Sequence, residues 1–204
     1  MFAYDSRFST FVRKINDYLL INLLLLIACL PVLTIGAAIS AVNHTILQNQ
    51  IYSKGYVLPT FWRAFRQNLK PSVRIWTINL LLIALFSFDI SYFYQQMEAG
   101  LAYGQLYILF IVLLIFIVLL TLYTFAYLAR FEDDLRDTFR NAGIMMLSHP
   151  GQNIKLVLII FVFSVGIYFW PILILAFPVM FFRLSVDIFE KIFSRYRVDE
   201  NPEN

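Results

Sequence analysis

The chain has 204 residues, of which 60% are hydrophobic, 18% aromatic and only 14% charged, with a formal net charge of +3. Soluble domains run near 45–50% apolar and about 25% charged, so a water-soluble globule is excluded and lipid must form part of the solvent. The composition points to one all-α integral membrane domain, a polytopic transmembrane helical bundle for which no nucleic-acid partner is expected.

A helix that crosses a bilayer needs about 20 mainly apolar residues. Four stretches meet that length, at 18–42, 73–94, 104–128 and 154–182, and four membrane segments are expected, with a fifth left open. The first is too long for the h-region of a cleavable signal peptide and is expected to be retained. It contains the single cysteine, Cys29, so no internal disulfide can form, and Cys29 reads as a small core hydrophobe. Pro31 follows, in a position that would break a water-soluble helix at a cost of about 3 kcal/mol. The bland reading is a kinked first helix in which Thr34 bonds back to the chain. Gly36 and Ser40, with Ala37 and Ala41, form a small-residue face for close packing in lipid. The sharper reading makes the bend part of a ligand path.

Segment 43–72 carries Lys54, Arg63, Arg66 and Lys70 and no acidic residue, and segment 129–153 carries Arg130, Arg136 and Arg140. Between the second and third spans, link 95–103 has Glu98 and no basic residue. Lys and Arg in short loops mark the cytoplasmic side, so the two longer segments are expected inside and the link outside. The ends resist this scheme. A single crossing at 18–42 would place Arg7, Arg13 and Lys14 outside, and one at 154–182 would do the same to Arg183, Lys191, Arg195 and Arg197. Pro31 in one stretch, and Pro171 and Pro178 in the other, allow a broken or re-entrant element or a tight pair of short helices.

Both cytoplasmic segments are expected to hold amphipathic helices in the headgroup layer. Phe61, Phe65 and Leu69 oppose Arg63, Arg66 and Lys70. Leu128, Phe131, Leu135, Phe139, Ala142 and Met146 form a second apolar face, with charge pairs Arg130–Asp134 and Glu132–Arg136 opposite. Arg63, Arg66, Lys70 and Arg130 are the candidate partner or lipid contacts. Phe8, Phe11, Val12, Ile15 and Tyr18 form an entry stripe, and Ile188, Phe189, Ile192, Phe193 and Tyr196 an exit stripe. Thr60-Phe61-x-x-Ala64 before Lys70-Pro71 echoes Thr138-Phe139-x-x-Ala142 before His149-Pro150, as a two-fold repeat of helical pairs would.

Asn22, the run Cys29-Leu30-Pro31-Val32-Leu33-Thr34-Ile35-Gly36-Ala37-Ala38 and Ala41 resemble the N-terminal motif of the YesL family. Phe61, Phe65, Asn68, Trp76, Asp89, Ala129-Arg130-Phe131-Glu132, Asn141-Ala142 and His149-Pro150 extend the likeness over nearly the whole chain. YesL proteins are small membrane proteins of Gram-positive bacteria, classed as a domain of unknown function. The resemblance implies residence in the bacterial plasma membrane and a role alongside carbohydrate importers of the ABC type, and no demonstrated activity. The family typically has a clearer pair of C-terminal spans than 154–182 offers.

No GxxxxGK[ST] loop, HExxH or CxxC pattern occurs, and no coupling loop of the ABC permease kind, so no cofactor or metal is expected and the chain does not read as an enzyme. His149 is expected to close an interfacial helix. Glu132, Asp133, Asp134 and Asp137 interleave with Arg130, Arg136 and Arg140 and read as a self-paired solvated face. Asp89 falls within the second apolar stretch, where a carboxylate is costly and needs a partner or water. Two functional readings follow. One is a non-enzymatic accessory or assembly factor docking a carbohydrate importer or other membrane protein through 58–70 and 129–147. The alternative is a small-solute transporter with a polar seam around Asn22, Asn79 and Asp89.

Overall fold

In a computed structural model of the chain, residues 7–51, 55–131, 133–175 and 177–194 are described. Lys54, Glu132, Arg195, Tyr196 and Arg197, and the side chains of Phe8 and Phe11, lie outside that set. Seven α-helices carry the described chain: α1 (Arg7–Ala28), α2 (Ile35–Thr45), α3 (Val57–Glu98), α4 (Tyr107–Leu128), α5 (Leu135–Ser148), α6 (Pro150–Phe169) and α7 (Phe177–Phe193).

Stretch 18–42 does not cross as one kinked helix. Pro31 is extended (φ −77°, ψ 120°), and after a short 3-10 turn at Val32–Thr34 the chain runs back as α2. Proline cannot donate to the preceding turn and disfavours helix in the residue before it, so α1 ends here. The Thr34 hydroxyl, within reach of both the Ala28 carbonyl (2.6 Å) and the Pro31 carbonyl (2.8 Å), takes up acceptors that the break exposes. Ile21 and Leu25 of α1 then pack with Ala38, Ala41, Val42 and Ile46 around a core completed by Val57, Phe61 and Ala64 of α3 and Val179, Phe182 and Val186 of α7. The result is a helical hairpin in which α2, at 11 residues, and the apolar part of α1, from Tyr18 to Ala28, each fall short of about 30 Å of hydrocarbon. Its tip is pinned where the Trp76 indole N–H donates to the Val32 carbonyl at 2.7 Å.

Three helical stretches are long and apolar enough to cross a membrane: Val57–Glu98, Ala102–Leu128 and Pro150–Phe169. Helix α3, at 42 residues, extends about 63 Å and absorbs what the sequence suggests as a separate interfacial helix over 58–70. Pro71 does not end it, because α2 packs along α3 on both sides of the proline and buries Phe61 and Ala64 before it and Ser72 and Ile75 after it. At His149-Pro150 nothing comparable spans the junction. His149 takes a non-helical conformation (φ −126°, ψ 60°) and Pro150 opens α6 at the one helical position that wants no N–H. The two sequence echoes therefore fold differently, and no two-fold repeat of helical pairs results.

Stretch 154–182 is divided as well. Helix α6 ends at Phe169, a 3-10 turn covers Pro171–Leu175, and α7 returns so that Phe193 meets Tyr127 and Phe131 at the end of α4. Both apolar stretches with prolines thus turn back. Arg13 and Lys14, the start of α3, the end of α4 and the end of α7 all share one side of the bundle, which removes the charge conflict at the ends. Among the described residues, the far side carries the turns at 99–106 and 170–175. Large apolar side chains face outward along the crossing helices, among them Leu81 and Phe88 of α3, Ile108 and Phe116 of α4, and Phe161 and Val165 of α6. In water such a surface would aggregate; in lipid it is ordinary. The chain is an integral membrane protein.

Two glycines mark where backbones meet. A Cβ on Gly36 would fall 2.5 Å from the Phe125 ring and 3.0 Å from Trp76 Cβ, at the junction of α2, α3 and α4. A Cβ on Gly104 would fall 2.2 Å from the Met97 backbone nitrogen. A ring can tilt, whereas helix backbone cannot yield locally. Gly104→Ala is therefore expected to lower the thermal unfolding midpoint in detergent more than Gly36→Ala, with overpacking costs in the range of about 1–3 kcal/mol. Equal or reversed effects would contradict the packing described.

Candidate functional site

Helix α4 changes character halfway. Residues 107–118 are mostly exposed, while Leu119 and Thr121–Ala129 are buried on all sides. The Thr121 and Thr124 hydroxyls donate to the carbonyls of Ile117 and Leu120, so their burial leaves no orphan donor. Two tyrosines one turn apart then reach other elements. The Tyr123 hydroxyl donates to Asn153 Oδ1 at 2.9 Å, and Asn153 Nδ2 donates to the Met146 carbonyl, which locks the corner between α5 and α6. The Tyr127 hydroxyl donates to Asp133 at 2.5 Å and accepts from Asn141 Nδ2 at 2.9 Å.

The same end of α4 receives α2 and α7. His44 Nδ1–H donates to the Ala129 carbonyl at 2.8 Å, at the negative pole of α4. Arg130 sits 2.7 Å from Glu190 and 4.5 Å above the Phe193 ring, its side chain 9% exposed. Its place in the sequence suggests an outward contact and an ion pair with Asp134. The structure instead turns it inward to α7, because the helix stops at Leu128 and Arg130 lies in the loop before α5. Helix α5 starts only at Leu135, so the apolar face read from Leu128 to Met146 is split between two helices. On α5, Asp137 pairs with Arg140 at 3.7 Å, both largely exposed. His149 caps α5 by donating Nδ1–H to the Met145 carbonyl at 3.0 Å.

The polar residues proposed for a seam do not line one space. Asn22 is buried and borders a cavity of about 330 Å³ between α1 and α7, with Ile15, Tyr18, Leu19, Met180, Arg183 and Leu184. Asn79 and Asp89 are both on α3 and line no part of it. Asn79 is buried, Asp89 half-buried, and ten residues of helix put them about 15 Å apart. What α2 and α3 do share is a set of buried polar atoms without hydrogen-bond partners: Ser40 Oγ, Asn43 Oδ1, Ser72 Oγ and Asn79 Nδ2. One helical turn from the Gly36–Trp76 contact along each antiparallel helix reaches Ser40 and Ser72, so these hydroxyls belong to the packing seam. Gly36, Ala37, Ser40 and Ala41 are all buried in α2.

Arg63, Arg66 and Lys70 are exposed along α3, with the Arg66 guanidinium 4.9 Å from the Trp62 ring centroid. Arg183, which bonds Asp187 one turn on, and Glu190 carry structural roles that the sequence reading did not assign. The Arg183–Asp187 spacing is visible in the sequence; the partner of Arg130, 60 residues away, is not.

Residues 18–90 match the family described as a protein of unknown function, DUF624. The matched segment runs from the apolar half of α1 through most of α3 and includes Asn22, Asn79 and Asp89. No curated protein and no solved structure matches the chain.

Arg130→Gln and Glu190→Gln are each expected to lower the unfolding midpoint, and the double variant to lose less than the sum, with a coupling of about 0.5–3 kcal/mol. Strict additivity would mean the pair does not hold α7 to α4. Asn79→Leu is expected to leave stability unchanged or raise it, because it removes a buried donor without a partner. A loss exceeding about 1 kcal/mol would show that this donor is in use.

Proposed function

We propose that the protein is a non-enzymatic accessory or assembly factor of the bacterial plasma membrane, which holds a partner against the side where α4 and α7 end. That side is the cytoplasm on the distribution of Lys and Arg. The observation that carries the reading is the outward face of α5. Arg136, Arg140, Ile144 and Leu147 recur on one helical face, all exposed, Ile144 at 51% and Leu147 at 68%. To a protein partner, an apolar pair beside two cations on the outward face of α5 offers a packing contact and charge-assisted hydrogen bonds together. Beneath it, Met145 and Met146 and the Tyr123–Asn153 and Tyr127–Asn141 bonds give α5 a rigid support.

A non-catalytic role is supported by how the reactive side chains are used. Both histidines cap or brace carbonyls, Glu190 holds Arg130, and Asp133 accepts from Tyr127. Each is engaged in holding helices together. A carbohydrate importer as the partner rests on the resemblance of the Cys29–Ala38 motif and the later matched positions to the YesL family.

Co-expression with the permease subunits of a carbohydrate ABC importer, followed by capture from mild detergent, tests the reading. The unaltered chain is expected to retain the permease, and Arg140→Glu/Leu147→Glu to lose it while unfolding at the same temperature. Failure of the unaltered chain to retain it, or equal retention by the variant, would remove this docking face.

A further inference from the structure

Helix α3 carries a second cationic feature that the partner reading does not use. Arg63, Arg66, Lys70 and Arg74 are all exposed and, at 100° per residue, fall within an arc of about 80°. They climb α3 over about 16 Å and end one residue before Ile75, where the apolar length of the helix begins. The sequence contains no Asp or Glu between Asp17 and Asp89. The ion pairs among the described residues, Arg130–Glu190, Arg140–Asp137 and Arg183–Asp187, involve none of the four. Along one edge of the stripe lie exposed apolar side chains, Trp62 at 47% and Leu58 at 54%.

The depth of this stripe follows from its neighbour. The α1–α2 hairpin packs along the first half of α3, and its outer side is apolar and open: Leu19, Leu23, Ile27, and at the tip Leu30 and Val32, are all more than half exposed. If α3 stood upright with only residues from Ile75 onward in hydrocarbon, these side chains would sit in water. The tip is tied to Trp76 by the indole bond to Val32, so hairpin and stripe must share a level. With lipid around the hairpin, the long Arg and Lys stems of the stripe lie along apolar surface and carry their charges out to the headgroup layer. There, cations act within a Debye length of about 8 Å.

We propose that Arg63, Arg66, Lys70 and Arg74 form a binding surface for the phosphate-bearing headgroups of anionic phospholipids, with Trp62 and Leu58 seated among the upper acyl chains. The chain from residue 18 to residue 88 itself supplies no carboxylate to repel such a headgroup. The planar guanidinium groups of Arg63, Arg66 and Arg74 suit phosphate oxygens in pairs. The surface lies on α3 and the partner face on α5, so the two readings fail or hold separately.

The test uses the full chain reconstituted in phosphatidylcholine bilayers, with spin-labelled phosphatidylglycerol and phosphatidylcholine as probes of association. The unaltered chain is expected to prefer phosphatidylglycerol, and high salt to weaken that preference. Each cation removed by Arg→Gln or Lys→Gln should lower it by up to about fivefold. The variants Arg63→Gln/Arg66→Gln and Lys70→Gln/Arg74→Gln are read separately, so the result does not depend on a fourfold variant folding. Arg136→Gln/Arg140→Gln serves as the comparison and is expected to retain the preference. An unchanged preference in both α3 variants, or an equal loss in the α5 variant, would overturn the proposal. So would loss of permease capture by the α3 variants with lipid preference intact, which would make the stripe a protein contact.

Discussion

Hydrocarbon offers no hydrogen bond to a backbone carbonyl, so every interruption of a helix in this chain must bring its own donor. That constraint explains the reversal after α1. Pro31 stops the helix, and the Thr34 hydroxyl and the Trp76 indole supply the donors that water would supply elsewhere. The hairpin so closed buries the small residues of α2 against α3, and this contact carries α3 through Pro71 without a break. Remove the reversal and the long continuous helix loses the surface that holds it.

Helix α4 serves the second half of the chain in a comparable way. Its outer turns face lipid, and its inner turns hold α2 through His44, the α5–α6 corner through Tyr123, and the loop before α5 through Tyr127. Helix α7 closes against the same turns through Phe189 and Phe193, with Arg130 and Glu190 joined beside them. Polar side chains at this end serve mainly to fix the angles between helices. The α5 face can therefore present cations and apolar groups together without collapsing onto the bundle.

Much of this is legible in the residues, for reasons that also set the limits. The solvent follows from composition, and the ends of apolar runs follow from Pro31 and Pro150. A proline shows where a helix stops but not the direction in which the chain resumes. The reversal depends on an indole 44 residues away from the carbonyl it serves. The charge conflict at the ends was the visible trace of that reversal, since Arg13 and Arg183 fit one side only if both apolar stretches turn back. Arg130 reads as a partner of Asp134 because that carboxylate is close in sequence, while Glu190 becomes a neighbour only after α7 returns. Asn22 stands apart from Asn79 and Asp89 for a similar reason. Asn22 faces α7, which a pattern confined to α1 and α3 cannot reveal.

Among the described residues, the paired returns of the chain leave two tight corners, near Gly100 and near Pro171, on the side opposite its cationic ends. Each corner fixes the spacing of the two helices it joins, α3 with α4 and α6 with α7, so a tilt of one must carry its neighbour along.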